Sequence, residues 1–302
     1  MMELPLVSGV DGSETSLRAV DWAVDEAALH GLPLRLVYAS GWEQYEGAAP
    51  TLGLGRPSDR ARADSIAETA AERARRRCPD VDVSVEVMPE DAVTALLNEG
   101  RNAQALITGE RGRRGLTGLL LGSVSRVVAA RAPCPVIVVR GDRAGIEGVH
   151  GRILVCVGEP ERDGAAIRFA FHEAGARGCD LVAVHAWRCP SHDRADHSRT
   201  AGEPHLYWKA RAATLIDEAV AESVRDHPTV RLRSAAVEGT AAKVLVQRSA
   251  AADLIVVGAH RRRSHVGLRL GRVAHTLLHH SDCPVAVVPP AARSFETPRL
   301  TS

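Results

Sequence analysis

The chain has 302 residues, a formal net charge of +1 with both signs spread along it, and only 3% aromatic residues. That length accommodates about two domains, and the balanced charge offers no polyanion-binding surface, so no nucleic-acid partner is expected. No apolar run approaches a membrane span and no basic leader precedes an apolar segment, so no membrane partner is expected and the chain reads as cytoplasmic.

With aromatics scarce, the core falls to Val, Leu, Ile and Ala, which suits parallel strands buried under helices. Cys78, Cys134, Cys156, Cys179, Cys189 and Cys283 form no CxxC pair and read as reduced thiols.

Leu6 to Val10 is a short apolar strand that stops at Asp11-Gly12-Ser13. Leu17, Val20, Ala23, Val24 and Ala27 follow at helical spacing up to Gly31. Leu34 to Tyr38 is a second strand, and the Gly- and Pro-bearing stretch 41–57 a long loop. Ser58 to Arg77 is a helix rich in Ala, Arg and Glu, read as largely solvated. Val81 to Val87 is a third strand with one half-exposed face, and Ala92 to Leu97 opens another helix. Ala105 to Thr108 is a fourth strand, a helical pattern begins near Val124, and Pro135 to Val139 is a fifth, β-branched strand. Strands alternating with helices over such a length point to a parallel α/β sheet.

Between the fourth strand and its helix lies a glycine-rich loop, Gly109-x2-Gly112-x9-Gly122-Ser123. Glycines let backbone N–H groups approach a ligand with no Cβ in the way. A helix N-terminus adds unpaired donors and the positive end of a dipole. Together they make an anion site, most often for phosphate. The spacing fits neither a Walker A loop nor the dinucleotide fingerprint.

The second half repeats the first. Gly109 and Gly258, Gly122 and Gly271, and Cys134 and Cys283 each lie 149 residues apart, and Val10 and Val157 lie 147 apart. A repeat of this length indicates two similar domains. They are expected at 1–141 and 151–290, joined by a charged, Gly-rich linker at about 141–151, with a disordered tail after Pro290.

The glycine loop, Val-Asp-Gly-Ser at 10–13 with Ser16, Ala19 and Trp22 behind it, and Ala-Pro-Cys-Pro-Val at 132–136 together resemble the ATP-binding branch of the universal stress protein family. The tandem arrangement is of the actinobacterial kind. The resemblance covers nearly the whole chain, and the loop is its most specific part. It implies an α/β fold of two tandem Rossmann-like, adenine nucleotide alpha hydrolase-like domains. Each would hold a five-stranded parallel sheet in the order 3-2-1-4-5, flanked by helices. It also implies that the halves pack as an intrachain pseudo-dimer through their last strands, with further pairing into a homodimer open to the chain.

In this family the aspartate at the position of Asp11 faces adenine, and backbone after the second strand contacts the base. Gly9, Val10, Asp11 and Val37 match those positions. Gly109, Arg111, Gly112, Gly122, Ser123, Val124 and Ser125 match the ribose- and phosphate-binding positions, and Ser123 can both cap its helix and reach a phosphate oxygen. Arg113 and Arg114 are weaker candidates. The implied ligand is ATP, with Mg2+ as its companion ion.

The second half departs from the pattern. Arg261 replaces the middle glycine, Arg272 replaces the serine, and Gly158 stands at the aspartate position. The favoured reading is a second site that has lost ATP; the other is that Arg261, Arg262, Arg263 and Arg272 bind a different anion. His275 and His279 have metal-compatible i, i+4 spacing but no ligand set around them, so no metal site is assigned. Cys134 and Cys283 read as small buried hydrophobes.

The residues thus supply recognition of a nucleotide without a hydrolytic set. No lysine lies near the loop and no carboxylate is placed as a base. An ATP-binding, stress-responsive regulatory protein with an unidentified protein partner is expected. Weak ATP hydrolysis and a nucleotide-independent interaction module are the alternatives.

Overall fold

The structure, a computed structural model, describes residues 4–39, 56–112, 121–158, 160–189, 203–259, 262–264 and 267–290. The stretches 40–55, 113–120 and 291–302 lie outside them, and with them most of the long loop, Arg113 and Arg114, and the tail.

The described residues fall into two compact units. In the first, β1 (Leu6–Val10), α1 (Glu14–His30), β2 (Leu34–Ala39), α2 (Arg56–Arg77), β3 (Val83–Met88), α3 (Ala92–Glu99), β4 (Ala105–Gly109), α4 (Ser123–Arg131) and β5 (Val136–Val139) alternate along the chain. The strands are parallel and ordered β3-β2-β1-β4-β5. The second unit carries α5 (Arg143–Ile146), β6 (Arg152–Cys156), α6 (Pro160–Arg177), β7 (Asp180–Trp187), α7 (Glu203–Asp226), β8 (Arg231–Glu238), α8 (Ala241–Ser249) and β9 (Leu254–Gly258). A small two-stranded sheet of β10 (Arg262–Ser264) and β11 (Gly267–Arg269) follows in the chain, grouped from Arg263 on with the first unit, and α9 (Arg272–His280) and β12 (Val285–Val288) complete the second. Its main strands are again parallel, ordered β8-β7-β6-β9-β12. Each unit therefore has the order 3-2-1-4-5 that the resemblance implies.

The strand compositions follow from position. Every residue of β4, β5, β9 and β12 is buried, so these read as unbroken apolar runs with helices on both faces. The edge strand β3 alternates, because one of its faces is partly open. Helix α1 starts at Ser13, whose side chain accepts from the Ser16 amide, and buries Ala19, Val20, Ala23, Val24 and Ala27.

Helix α2 is less solvated than its composition suggests. Ala63, Ala67, Ala70, Ala71 and Ala74 form a fully buried stripe, and small side chains let the helix lie close to its neighbours. Its outer arginines reach α1: Arg73 binds Asp21 with two hydrogen bonds of 2.6 Å, and Arg77 binds Asp25 likewise at 2.6 and 2.7 Å. The expected linker also contains structure, since α5 is capped by Asp142 accepting from the Gly145 amide at 2.8 Å. Among the described residues no helix is long and apolar enough to cross a membrane.

Helix α3 is capped by Asp91, whose Oδ1 accepts from the amides of Val93 and Thr94 at 3.0 and 3.1 Å. The Thr94 hydroxyl, then these amides, hold the Asp91 carboxyl below the usual carboxylate range. The group is exposed, so Asp91→Ala is expected to cost about 0.5–1 kcal/mol at neutral pH. A depressed native pKa contributes stability above the unfolded value of about 3.9 and loses it as pH falls through the native one. Urea unfolding of the wild type and Asp91→Ala should therefore differ at pH 7 and converge in acid.

Candidate functional site

In an order 3-2-1-4-5, the chain leaves β1 toward one edge and β4 toward the other. The carboxyl ends of β1 and β4 thus open a crevice, where ligands of doubly wound sheets bind. The two strands are direct neighbours, with Ser8 in register with Ile107. Asp11 follows β1, Gly109 ends β4, and the N-termini of α1 and α4 adjoin them.

Asp11 is held by Ser13. Its Oδ1 accepts from the Ser13 amide at 2.9 Å and the Ser13 hydroxyl at 2.6 Å. The other oxygen lies against the loop, since a Cβ on Gly112 would stand 2.5 Å from Asp11 Oδ2. The loop is closed at its base by the Gly122 amide, which donates to the Glu110 carbonyl at 2.7 Å. A Cβ on Gly122 would approach both Glu110 O and Arg111 Cα to 3.3 Å.

The glycines have distinct roles. A Cβ on Gly109 would meet the Thr15 carbonyl oxygen at 2.5 Å and its carbon at 2.7 Å. Gly109 therefore lets β4 end against the backbone of α1, a packing role. Gly112 lets the Asp11 carboxylate lie directly against the loop backbone. Gly122 is the N-cap of α4, and with no side chain it leaves the first turn without a side-chain cap. This corrects the expectation for Ser123, which is the first helical residue, exposed, and does not cap the helix.

Ser125 is buried, and its hydroxyl donates to the Gly109 carbonyl at 2.7 Å, tying α4 to the end of β4. Val124 is half-buried between them. Arg111 is partly exposed, but its Nε is buried with no hydrogen-bond partner among the described residues. A buried donor without an acceptor is costly, so this nitrogen calls for one.

Eight of the sequence-derived residues thus gather at the crevice: Asp11, Gly109, Arg111, Gly112, Gly122, Ser123, Val124 and Ser125. The other three lie in the sheet beneath. Val10 is buried, and Val37 is 2% exposed, in register with Gly9 on one side and Glu86 on the other. A Cβ on Gly9 would press within 3.1 Å of Leu96, so this glycine makes room for α3.

Two features escaped the sequence reading. Thr15 Oγ1 donates to the Arg111 carbonyl at 2.5 Å, across 96 residues of chain. The run Ser13-Glu14-Thr15-Ser16 holds more hydroxyls than one cap needs, which is the signal available in the sequence. Arg140, just past β5 and 8% exposed, places its Nη2 3.8 Å from Glu110 Oε2. A lone arginine at a strand end gave no warning of a buried cation there.

The second unit is built differently at the same place. Its carboxylate sits in the helix: Asp163, 1% exposed, accepts from the Gly158 amide at 2.7 Å. In the first unit the matching contact joins the Asp11 amide to the Ser16 hydroxyl at 3.4 Å. Burial first, and Asp163 second, push the Cys156 thiol up to about 12. Gly271 caps α9 and Arg272 follows it, exposed, where Ser123 stands in α4. Ala186, Arg188, Gly239, Thr240, Arg272 and Val273 line a cleft of about 410 Å³ with two cations and, among the described residues, no carboxylate. Arg261 and the side chains of Arg262 and Arg263 lie outside the described residues.

His275 and His279 stack on α9 with ring centroids 4.5 Å apart. Burial pushes the Cys134 thiol up to about 12, which keeps it protonated and unreactive at neutral pH.

Comparison with known proteins agrees with this architecture. The universal stress protein family matches residues 4–140 and again 150–289. One universal stress protein of Mycobacterium tuberculosis is 31% identical over 288 residues, covering 93% of this chain and 96% of its own. A second is 30% identical over 290 residues, covering 94% and 96%. The crystal structure of a universal stress protein from Archaeoglobus fulgidus shares the fold, with a TM-score of 0.66, 16% identity and 97% of each chain covered.

The glycine roles predict different outcomes for the same substitution. Gly109→Ala drives a Cβ into backbone and is expected to lower stability by about 1–3 kcal/mol. Gly112→Ala meets only the tip of the Asp11 side chain and is expected to change stability by under about 0.5 kcal/mol. Denaturant unfolding of the two variants checks this.

Proposed function

The chain belongs to the universal stress protein family, and from that premise we propose that its first half binds an adenine nucleotide, ATP, as a regulatory ligand. The observation that carries the reading is the Asp11 carboxylate lying directly against Gly112, where a Cβ would stand, at the fork of β1 and β4. A carboxylate at this position can accept from an adenine amino group or a ribose hydroxyl. Beside it, the amides of the first turn of α4 and the positive end of its dipole suit phosphate oxygens. The buried Nε of Arg111 supplies a donor that a phosphate or ribose oxygen would satisfy. Ser123, exposed at the helix start, adds a hydroxyl. Mg2+ enters this reading as the nucleotide's companion ion.

The same residues argue for binding over hydrolysis. Phosphoryl transfer needs a positioned water and cationic support for the leaving phosphate. Around the crevice, Asp11 is assigned to the base or ribose, and Glu110 faces Arg140. ATP therefore acts by favouring one arrangement of the loop between Gly109 and Ser123, which changes the surface offered to a protein partner.

A nucleotide-independent role suits the second half, because Asp163 occupies the Gly158 amide and Gly158 stands where Asp11 stands in the first half. The proposed domain limits remain 1–141 and 151–290.

Equilibrium titration of ATP tests the reading. The wild type should bind saturably. Asp11→Ala should weaken binding about tenfold, in line with loss of one hydrogen bond to a charged group. Gly112→Ala, which displaces the carboxylate without unfolding the chain, should weaken it at least as much. A wild type that shows no binding at millimolar ATP contradicts the reading.

A further inference from the structure

We propose that Thr15 is a positioning residue for the anion loop, holding the peptide between Arg111 and Gly112 in the orientation that a nucleotide meets. The inference rests on the nucleotide reading above. Its basis is the 2.5 Å hydrogen bond from Thr15 Oγ1 to the Arg111 carbonyl. In a trans peptide the carbonyl and the following N–H point in opposite directions. A carbonyl fixed on Thr15 therefore sends the Gly112 N–H away from α1. The Thr15 backbone carbonyl is also the group against which Gly109 packs. One residue thus holds both ends of the segment Gly109 to Gly112.

The hydroxyl is surplus to helix capping. Ser13 is the N-cap of α1, and its side chain accepts from the Ser16 amide. A hydroxyl has one proton to donate. Thr15 gives its proton to Arg111, and Ser13 gives its proton to Asp11 Oδ1. The 3.1 Å between the two hydroxyl oxygens is then a contact with no proton to share. The first turn of α1 therefore works as a bracket: Ser13 holds the carboxylate, Thr15 holds the loop, and the helix fixes the distance between them.

The second half supplies an internal comparison. At the repeat spacing of 147, Pro160 stands for Ser13 and Arg162 for Thr15, so both hydroxyls are missing. They are missing in the same half that has Arg261 for the middle glycine and Arg272 for the serine. The bracket and the motif that it serves are lost together.

The test uses the full chain carrying Thr15→Val, which keeps the shape and removes the hydroxyl, and Thr15→Ser, which keeps the hydroxyl. Affinities for ATP and adenosine are measured by competition against a fluorescent ATP analogue. Amide hydrogen exchange over 109–112 is followed without nucleotide. Thr15→Val should weaken ATP about tenfold, the size of one lost hydrogen bond. It should leave adenosine within about twofold and speed exchange at Gly112. Thr15→Ser should return ATP affinity to within about threefold of wild type. A merely structural role would move ATP and adenosine together, and that result overturns the proposal. So does a Thr15→Val protein that binds ATP as the wild type does. A wild type that binds neither ligand instead refutes the nucleotide reading itself, and this proposal with it.

Discussion

The crevice depends on one geometric constraint, the adjacency of β1 and β4 in a parallel sheet ordered β3-β2-β1-β4-β5. A right-handed crossover after each strand sends one set of helices to each face and opens a fork where the direction of winding changes. Everything proposed for the first half sits at that fork. Asp11 is there because β1 ends at Val10. The glycine loop is there because β4 ends at Gly109. Ser125 closes the arrangement by donating to the Gly109 carbonyl.

Within that frame, the chain divides its labour between packing and recognition more finely than a motif suggests. Gly109 and Gly9 are glycines because backbone or a leucine side chain occupies the space that a Cβ would take. Gly112 is different, since the tip of a side chain, the Asp11 carboxylate, faces it. Substitution at such positions separates folding from binding, which a motif treated as one unit does not. The second half shows the converse. A carboxylate moved from a strand tip into the first turns of a helix engages the Gly158 amide and is no longer offered to solvent. Two replacements in the repeat, Gly158 for Asp11 and Asp163 for Ser16, account for the difference.

Much of this was legible in the sequence. The buried strands announced themselves as short β-branched runs, and the 149-residue spacing fixed the second set from the first. The glycine loop marked the site, and eight of eleven residues drawn from the motif stand at the crevice. The misses have physical causes. Ser123 looked like a cap because serine is a favoured one, yet Gly122 takes the cap position and Ser123 begins the helix. The stripe of alanines on α2 was hidden by the arginines and glutamates between them. Thr15 acts across the fold, and no local pattern reports a contact between a helix start and a loop 96 residues away.

The central claim is that one half of this chain holds an adenine nucleotide and the other does not. Native mass spectrometry of the intact protein at saturating ATP counts the bound nucleotides directly. The account predicts one per chain, abolished by Ser123→Ala/Gly122→Ala in the first half and unaffected by Arg272→Ala in the second. Two nucleotides per chain, or one that disappears with Arg272→Ala, would contradict it.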